Sequence, residues 1–406
     1  MSATAEETEE FISLYEGSGK LNQQDCEFEV GQRSDGQIRV YCTFSDSPEL
    51  VNAHGVKFCG CTNDGRKVLG KGPFQNRPWG VDYDTEPERY FSHYGLWELT
   101  VGEQDWSKAH SVSFALTNFL FCGNDANSGG RGTCYNKFKL KLDSSDVVFR
   151  RVDDYYDIYN TVVTGQSTEV TCELTIAVDG RGRDEVRKMI NRICDLLTIA
   201  QGRRIEWINY RVYDANSSLI FTYHEIRRTD PRRGFVLIDF QNANTAINYL
   251  TKSFPAYGRF DSQHPSLLNG VANIMFDTNA ARFTITHALS MFCMVDALGK
   301  NLLDYQYISR GKTPPHRYPI KTKVEALKNA YKVCLCQNEI DYFGLSRNCV
   351  VHELKFHTGD ARKEYEKSSH IFHRILLRIL DYEHLYFDIT LPTGQGFGED
   401  MLHSCP

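Results

Sequence analysis

The sequence lacks long apolar runs and an excess of positive charge. No stretch of about 18 or more uninterrupted apolar residues occurs in the 406-residue chain, so we expect no membrane-spanning helix and no membrane partner. The first ten residues are acidic and lack the basic and apolar segments of a secretory signal, which favours a cytoplasmic location. The net charge of −6 argues against wholesale coating of nucleic acid but permits a local basic site.

An even, clustered set of cysteines is also lacking. The thirteen cysteines are scattered over the whole chain, which predicts reduced thiols rather than a disulfide framework. Cys59 and Cys61, together with Cys122 and Cys134, would supply four thiolates for zinc. C-x-C is not the usual zinc-knuckle spacing, and the second pair is widely separated, so unpaired thiols are the favoured interpretation. We therefore predict no metal and no cofactor.

Hydrophobic periodicity predicts an α+β fold in four parts. Residues 1–160 are β-rich, with alternating segments such as 37–44 and 111–116, and short strands with frequent turns are typical of a sandwich or barrel-like domain. Residues 161–235 mix strands with one helix, predicted over 184–201, and are expected to pack against the first part. The pattern becomes all-helical over 236–390, and 391–406 is a Gly-containing tail. Helices are predicted over 243–252, 321–338 and 361–386, with Asp360 as the N-cap of the last.

The middle part is locally basic. Residues 181–233 contain twelve Lys and Arg against seven Asp and Glu, a net charge of +5 in an acidic chain. Such a segment is a candidate electrostatic surface for RNA, and a solvated or internally paired surface is the equal alternative. The candidate RNA-binding residues are Arg203, Arg204, Arg227, Arg228, Arg232 and Arg233.

One short motif in the helical part joins three side chains suited to phosphodiester chemistry. Arg347 is a permanent cation that grips phosphate bidentately, and His352 titrates near neutral pH and carries protons. Asn348 and His352 are four residues apart and therefore share a helix face. Arg347 and His352 are about 140° apart around a helix, so we expect them to flank one edge rather than to stack.

The spacing of Arg and His alone is weak support. The pattern R-x4-H occurs three times, beginning at Arg259, Arg282 and Arg347. Only Arg347 is followed by Asn, and only this copy lies between two long helical segments, in a block of residues that is predicted to be all-helical. The motif at 347–352 is therefore the strongest candidate functional site in the chain.

This combination resembles the HEPN superfamily, whose signature is R-x4-6-H with a polar residue, often Asn, after the Arg. The helix order over 235–390, with the motif on the penultimate helix, is similar to that of the ApeA-like anti-phage proteins. The resemblance implies a C-terminal HEPN-like helical bundle, with Asp296 as the acidic residue of an earlier helix. The chain departs from the pattern at Glu353, where many members have Gly.

The resemblance also implies an activity and partners. Proteins of this type are metal-independent endoribonucleases, in which Arg347, Asn348 and His352 would be catalytic and RNA would supply its own 2′-OH nucleophile. Their motif helices face each other across a homodimer, which we expect here. The resemblance places the chain in anti-phage defence (abortive infection) or among toxins, with an N-terminal domain that senses a phage-derived or other trigger.

Two alternatives belong to other functional classes. A catalytically silent HEPN module would dimerise and bind RNA or a partner without cutting it. A zinc-dependent enzyme would use the region of Cys59 and Cys61. RNA cleavage in EDTA distinguishes the nuclease from the silent module, and metal analysis addresses the third hypothesis.

Overall fold

The computed structural model describes residues 11–21, 23–33, 35–46, 57–72, 74–75, 80–82, 89–129, 132–227, 229–232, 234–279, 284–384 and 386–390. Strands dominate the first half of these residues and helices the second, which confirms the predicted α+β class. No helix among them is long and apolar enough to cross a membrane. The predicted tail at 391–406 lies outside the described residues.

Sixteen strands of the described residues form one antiparallel sheet. In chain order they are β1 (Phe11–Leu21), β2 (Gln24–Arg33), β3 (Ile38–Phe44), β4 (Lys57–Thr62), β5 (Lys67–Lys71), β6 (Phe74–Gln75), β7 (Gly80–Asp82), β8 (Arg89–Leu96), β9 (Glu98–Gly102), β10 (Ser111–Thr117), β11 (Asp125–Gly129), β12 (Gly132–Leu142), β13 (Ser145–Arg151), β14 (Val170–Ala177), β15 (Trp207–Tyr213) and β16 (Leu219–Glu225).

The sheet order joins the first and middle parts of the chain. The order is β11-β12-β13-β14-β10-β15-β16-β9-β5-β4-β1-β2-β3-β8-β6, with β7 paired to β8. β9 is the link, because it pairs with β5 on one side and with β16 on the other. Strand β3 shows why such segments are strands: Ile38, Val40, Cys42 and Phe44 alternate with more exposed residues and are all buried.

Eight helices are found in the described residues. They are α1 (Tyr155–Thr164), α2 (Arg183–Gln201), α3 (Ala243–Gln263), α4 (Leu267–Asn279), α5 (Thr284–Ser309), α6 (Ile320–Tyr331), α7 (Gln337–Glu353) and α8 (Ala361–Ile379).

Helix α5 is the centre of the helical part. It contacts α4, α6, α7 and α8 and buries apolar residues along most of its length. The largest hydrophobic cluster extends from Val112 to Tyr386 and includes both strand and helix residues. A separate cluster of buried residues, between Leu21 and Val101, is formed by side chains of β1 to β5, β8 and β9. The helix that carries the motif, α7, thus shares a core with strands from β10 onward.

Three helix boundaries differ from the sequence-based expectation. The first predicted helix, 243–252, continues as α3 through Pro255, because burial of Phe254 and Tyr257 outweighs the one backbone hydrogen bond that proline cannot donate. The helix predicted over 321–338 is divided in two, since Lys332 has a left-handed φ of 52° and ends α6. The last helix stops at Ile379 rather than near residue 386.

The sheet order separates the strand of Cys59 and Cys61 from the strand of Cys134. Cys59 and Cys61 are exposed on β4, whereas β12, which contains Cys134, lies eight strands away in the sheet order. Among the described residues no group of three or more His, Cys, Asp or Glu side chains is arranged to hold a metal, and the Cys134 side chain is outside that set. Among the described residues ten cysteines are free thiols, whereas Cys334 is disulfide-bonded.

Candidate functional site

Helix α7 holds the motif in a fixed orientation. Glu339 caps its first turn by accepting from the backbone N–H of Cys336 (2.8 Å), and the same carboxylate pairs with Arg374 of α8 (2.6 Å). Leu354, with a φ of 51°, ends the helix in the left-handed region. Both ends of α7 are therefore defined by local contacts.

One face of α7 is buried and the other is open to solvent. Phe343 and Val350 are buried in the core shared with the other helices. Asn348 and His352 are exposed, as their four-residue spacing predicts. Arg347 lies between the two faces, with 20% of its side chain exposed, so its guanidinium reaches from the protein interior to the surface.

The structure brings Arg347 and His352 into direct contact. Arg347 Nη1 lies 3.2 Å from His352 Nε2 and 3.3 Å from Asn348 Oδ1. The two side chains also touch across the edge that they were expected to flank, because the long arginine side chain spans the angular gap. A guanidinium can only donate, so this contact is a hydrogen bond in the His352 tautomer that accepts at Nε2 and carries its proton on Nδ1.

Two other helices contribute charges to the same place. Asp296 of α5 lies 3.7 Å (Oδ2) from Nη2 of Arg347 and has 30% of its side chain exposed. Lys323 of α6 lies 2.9 Å from the same Oδ2 atom, and only 9% of its side chain is exposed. The described cluster of Arg347, Lys323 and Asp296 carries a net positive charge, which suits an anionic ligand.

Lys323 is the residue that the sequence analysis missed. It lies on the buried side of α6 with Ile320, Val324 and Leu327, and a cation in an apolar stripe needs a partner. That position was the one signal in the sequence that pointed to it. Gly299 of α5 allows the close approach, because a Cβ there would lie 2.5 Å from Cβ of Lys323.

Glu353, the residue after His352, has a lysine as its ion-pair partner. It pairs with Lys355 (2.5 Å), and this partner holds the pKa of the Glu353 carboxyl below its usual range. Cys293, one turn before Asp296, is also close. Burial and the Asp296 carboxylate raise the pKa of this thiol, so Cys293 is protonated at neutral pH and is a poor nucleophile.

The arginines of the basic middle segment are paired within the fold. Arg203 is buried and donates to the carbonyl of Val162 (3.1 Å). Arg204 pairs with Glu206 and with Asn273 of α4.

The remaining arginines of that segment follow the same pattern where they are described. Arg227 pairs with Glu225 (3.3 Å), and Arg232 pairs with Asp230. Most of the local positive charge is therefore balanced by internal carboxylates. Two of the six candidate residues lie outside the described residues, namely Arg228 and Arg233.

The first competing R-x4-H pair is not assembled in this way. His264 is buried against Phe260 and Tyr305, whereas Arg259 extends to Asp381 (3.4 Å). The second pair begins at Arg282, which is outside the described residues.

Comparison with known proteins identifies no relative. No protein-family model, curated protein sequence or solved structure matches this chain.

Proposed function

We propose that this protein is a metal-independent endoribonuclease of the HEPN type, with a HEPN-like helical bundle over residues 236–390. The observation that supports this most directly is the 3.2 Å contact between Arg347 and His352 at the exposed face of α7. A strong cation and a proton carrier at this separation can engage the same phosphodiester.

In the proposed reaction, His352 takes the proton of the ribose 2′-OH as that oxygen attacks the adjacent phosphorus. The bond from phosphorus to the 5′ oxygen breaks, and the leaving oxygen takes a proton from the imidazolium of a second copy of the motif. Arg347 stabilises the charge that grows on the non-bridging oxygens, and Asn348 orients the imidazole or donates to the phosphate. The products are a 2′,3′-cyclic phosphate and a 5′-OH end.

Substrate binding would also prepare the base. At rest Nε2 of His352 accepts from Arg347, so its lone pair is not available to the 2′-OH. A phosphate oxygen is an anion and accepts from a guanidinium more strongly than a neutral imidazole does. The arriving phosphate therefore draws the Arg347 donor away and frees Nε2.

We infer that the working enzyme is a homodimer built through the helical domain. One copy offers one histidine at this site, whereas the reaction removes one proton and delivers another. Leu345 and Leu354 are exposed beside Asn348 and His352, which makes the motif face of α7 partly apolar. Pairing these faces would place two copies of the motif opposite each other across a two-fold axis.

We further propose that the activity serves anti-phage defence or a toxin system in the cytoplasm. In this scheme the β-rich first 160 residues sense a phage-derived or other trigger. Cleavage of host RNA would then follow activation of the helical domain.

The protein is expected to cleave RNA in EDTA, because the site supplies its own cation and proton carrier. The measurement is the cleavage of a labelled oligoribonucleotide, with the ends identified by mass spectrometry as a cyclic phosphate and a 5′-OH. An oligonucleotide with a 2′-deoxyribose at the cut position is the control and should remain intact. Binding of RNA without cleavage, with or without added phage components, would favour the silent binding module instead.

Leu345→Glu is expected to convert the dimer to a monomer and to abolish cleavage together. A carboxylate at this position would be buried against its own symmetry copy, which is unfavourable for a charge without a partner. Sedimentation equilibrium measures the mass, and Leu219→Glu, at an equally exposed leucine of β16, is the matched control. A dimer that survives Leu345→Glu would place the interface elsewhere.

A further inference from the structure

The carboxylate of Asp296 is shared unequally between two cations. Lys323 Nζ lies 2.9 Å from Oδ2, within hydrogen-bonding distance. Arg347 Nη2 lies 3.7 Å from the same oxygen, which is an ionic contact but too long for a hydrogen bond. Lys323 thus holds Asp296 closely, and Arg347 is held only loosely.

A stronger pairing of Asp296 with Arg347 is available but is not made. Among the described residues, Nε of Arg347 is a buried donor without a partner and Oδ1 of Asp296 is a buried acceptor without one. A guanidinium and a carboxylate normally satisfy such atoms together, through two parallel hydrogen bonds. Here the donor and the acceptor are on neighbouring side chains and remain unpaired.

Lys323 is positioned to affect this balance without reaching RNA. Only 9% of its side chain is exposed, and its Cβ lies against the backbone of α5 where Gly299 leaves room. Its ammonium is therefore fixed on Asp296 and cannot swing out to a phosphate. Its role at the site is to position other groups rather than to contact the substrate.

We propose that Lys323 keeps Arg347 available to the substrate by competing with it for Asp296. With Lys323 in place, Asp296 is occupied and the Arg347 guanidinium turns outward to His352 and Asn348. Without Lys323, the carboxylate loses its nearest cation and captures Arg347 through both Nε and Nη2. Arg347 is then withdrawn from the phosphate, an inference that rests on the nuclease function proposed above.

Lys323→Met is expected to slow RNA cleavage by about tenfold or more, as residues in one ion-pair network are strongly coupled. Adding Asp296→Asn to this variant is expected to restore the rate to that of Asp296→Asn alone, because a neutral amide does not hold Arg347. Lys323→Gln, which keeps a polar group at the position, should behave as Lys323→Met does and covers a failure of the methionine variant to fold. A double variant that stays slower than Asp296→Asn alone, or a Lys323→Met protein with the wild-type rate, would overturn the proposal.

A second measurement does not require cleavage. The Nε–H resonance of Arg347, assigned by its loss in Arg347→Lys, reports directly on the unpaired donor. In Lys323→Met this resonance is expected to move downfield, and its proton is expected to exchange more slowly with water. In the double variant the resonance should return to its wild-type position. An unchanged resonance in Lys323→Met would refute the competition even if RNA is cut. If the wild type cuts no RNA, the nuclease proposal fails while this resonance still decides whether Lys323 controls Arg347.

Discussion

His352→Gln is expected to reduce the rate of RNA cleavage by about 10²- to 10⁴-fold, the usual contribution of a positioned proton carrier. Glutamine retains a polar group near the place of the imidazole but does not titrate. His352 is exposed and contacts Arg347 at the surface, so its replacement leaves the core intact. Loss of activity with an unchanged free energy of unfolding is the expected pair of results.

A neighbouring histidine supplies the control. His357 follows α7 and is also exposed, and His357→Gln should cleave RNA at the wild-type rate. Single-turnover rates on the same oligoribonucleotide measure the chemical step for both variants. Equal rates for His352→Gln and wild type would show that the imidazole carries no proton in this reaction. That result would refute the catalytic role assigned to the motif.

Local periodicity predicted individual elements of this fold well. The strand over 37–44 and the helix over 184–201 occur within a residue of their expected positions, as β3 and α2. Asp360 caps α8 as predicted, by accepting from the backbone N–H of Lys363. Each of these patterns is contained within a few consecutive residues, so a single sequence is sufficient to predict the element.

What the sequence did not reveal depends on contacts between distant residues. Pairing of β9 with β16 joins residues that are more than a hundred positions apart, and no local pattern encodes it. The arginines near Arg204 are numerous, but the charge count did not say that Glu206 and Asp230 balance them internally.

The residues of the candidate site likewise fall into those that a local pattern predicts and those that only a tertiary contact reveals. Arg347, Asn348 and His352 lie on one helix and were identified from their spacing, from the Asn that follows Arg347 and from the predicted helical setting. Lys323 joins them only because α5 and α6 pack closely at Gly299, a tertiary contact. Asp296 was chosen by analogy, and its distance to Arg347 became known only from the packed helices.

Two buried histidines make the stability of the protein sensitive to acid. His224 is 1% exposed and is bonded to Gln32 Oε1 (2.9 Å) and to the Tyr15 hydroxyl (3.2 Å). Burial, together with the nearby Arg211 charge, lowers the pKa of His224 to about 3.

The second histidine belongs to a different part of the core. His373 is 7% exposed and stacks on Phe235, with ring centroids 5.6 Å apart. Burial, reinforced by His370, lowers the pKa of His373 to about 3. Each imidazole is therefore neutral in the folded protein at pH values where the unfolded chain, with a histidine pKa of about 6.5, is protonated.

The free energy of unfolding is expected to be constant with respect to these two groups above about pH 6.5 and to fall as the pH drops from there towards 3. The unfolded state binds more protons throughout that range, so acid favours it. Below pH 6.5 each histidine lowers the free energy of unfolding by about 1.4 kcal/mol per pH unit. The two histidines together therefore lower it by about 4 kcal/mol between neutral pH and pH 5. This is a large share of the roughly 5–15 kcal/mol by which folded proteins are typically stable. Urea unfolding at pH 7 and pH 5 measures this difference.

His373→Phe keeps the stacked ring without a titrating group and should remove about half of the pH dependence. His357→Gln, at an exposed histidine, should leave the pH dependence unchanged. The same slope in His373→Phe as in wild type would mean that His373 is protonated inside the fold, which is incompatible with its burial against Phe235.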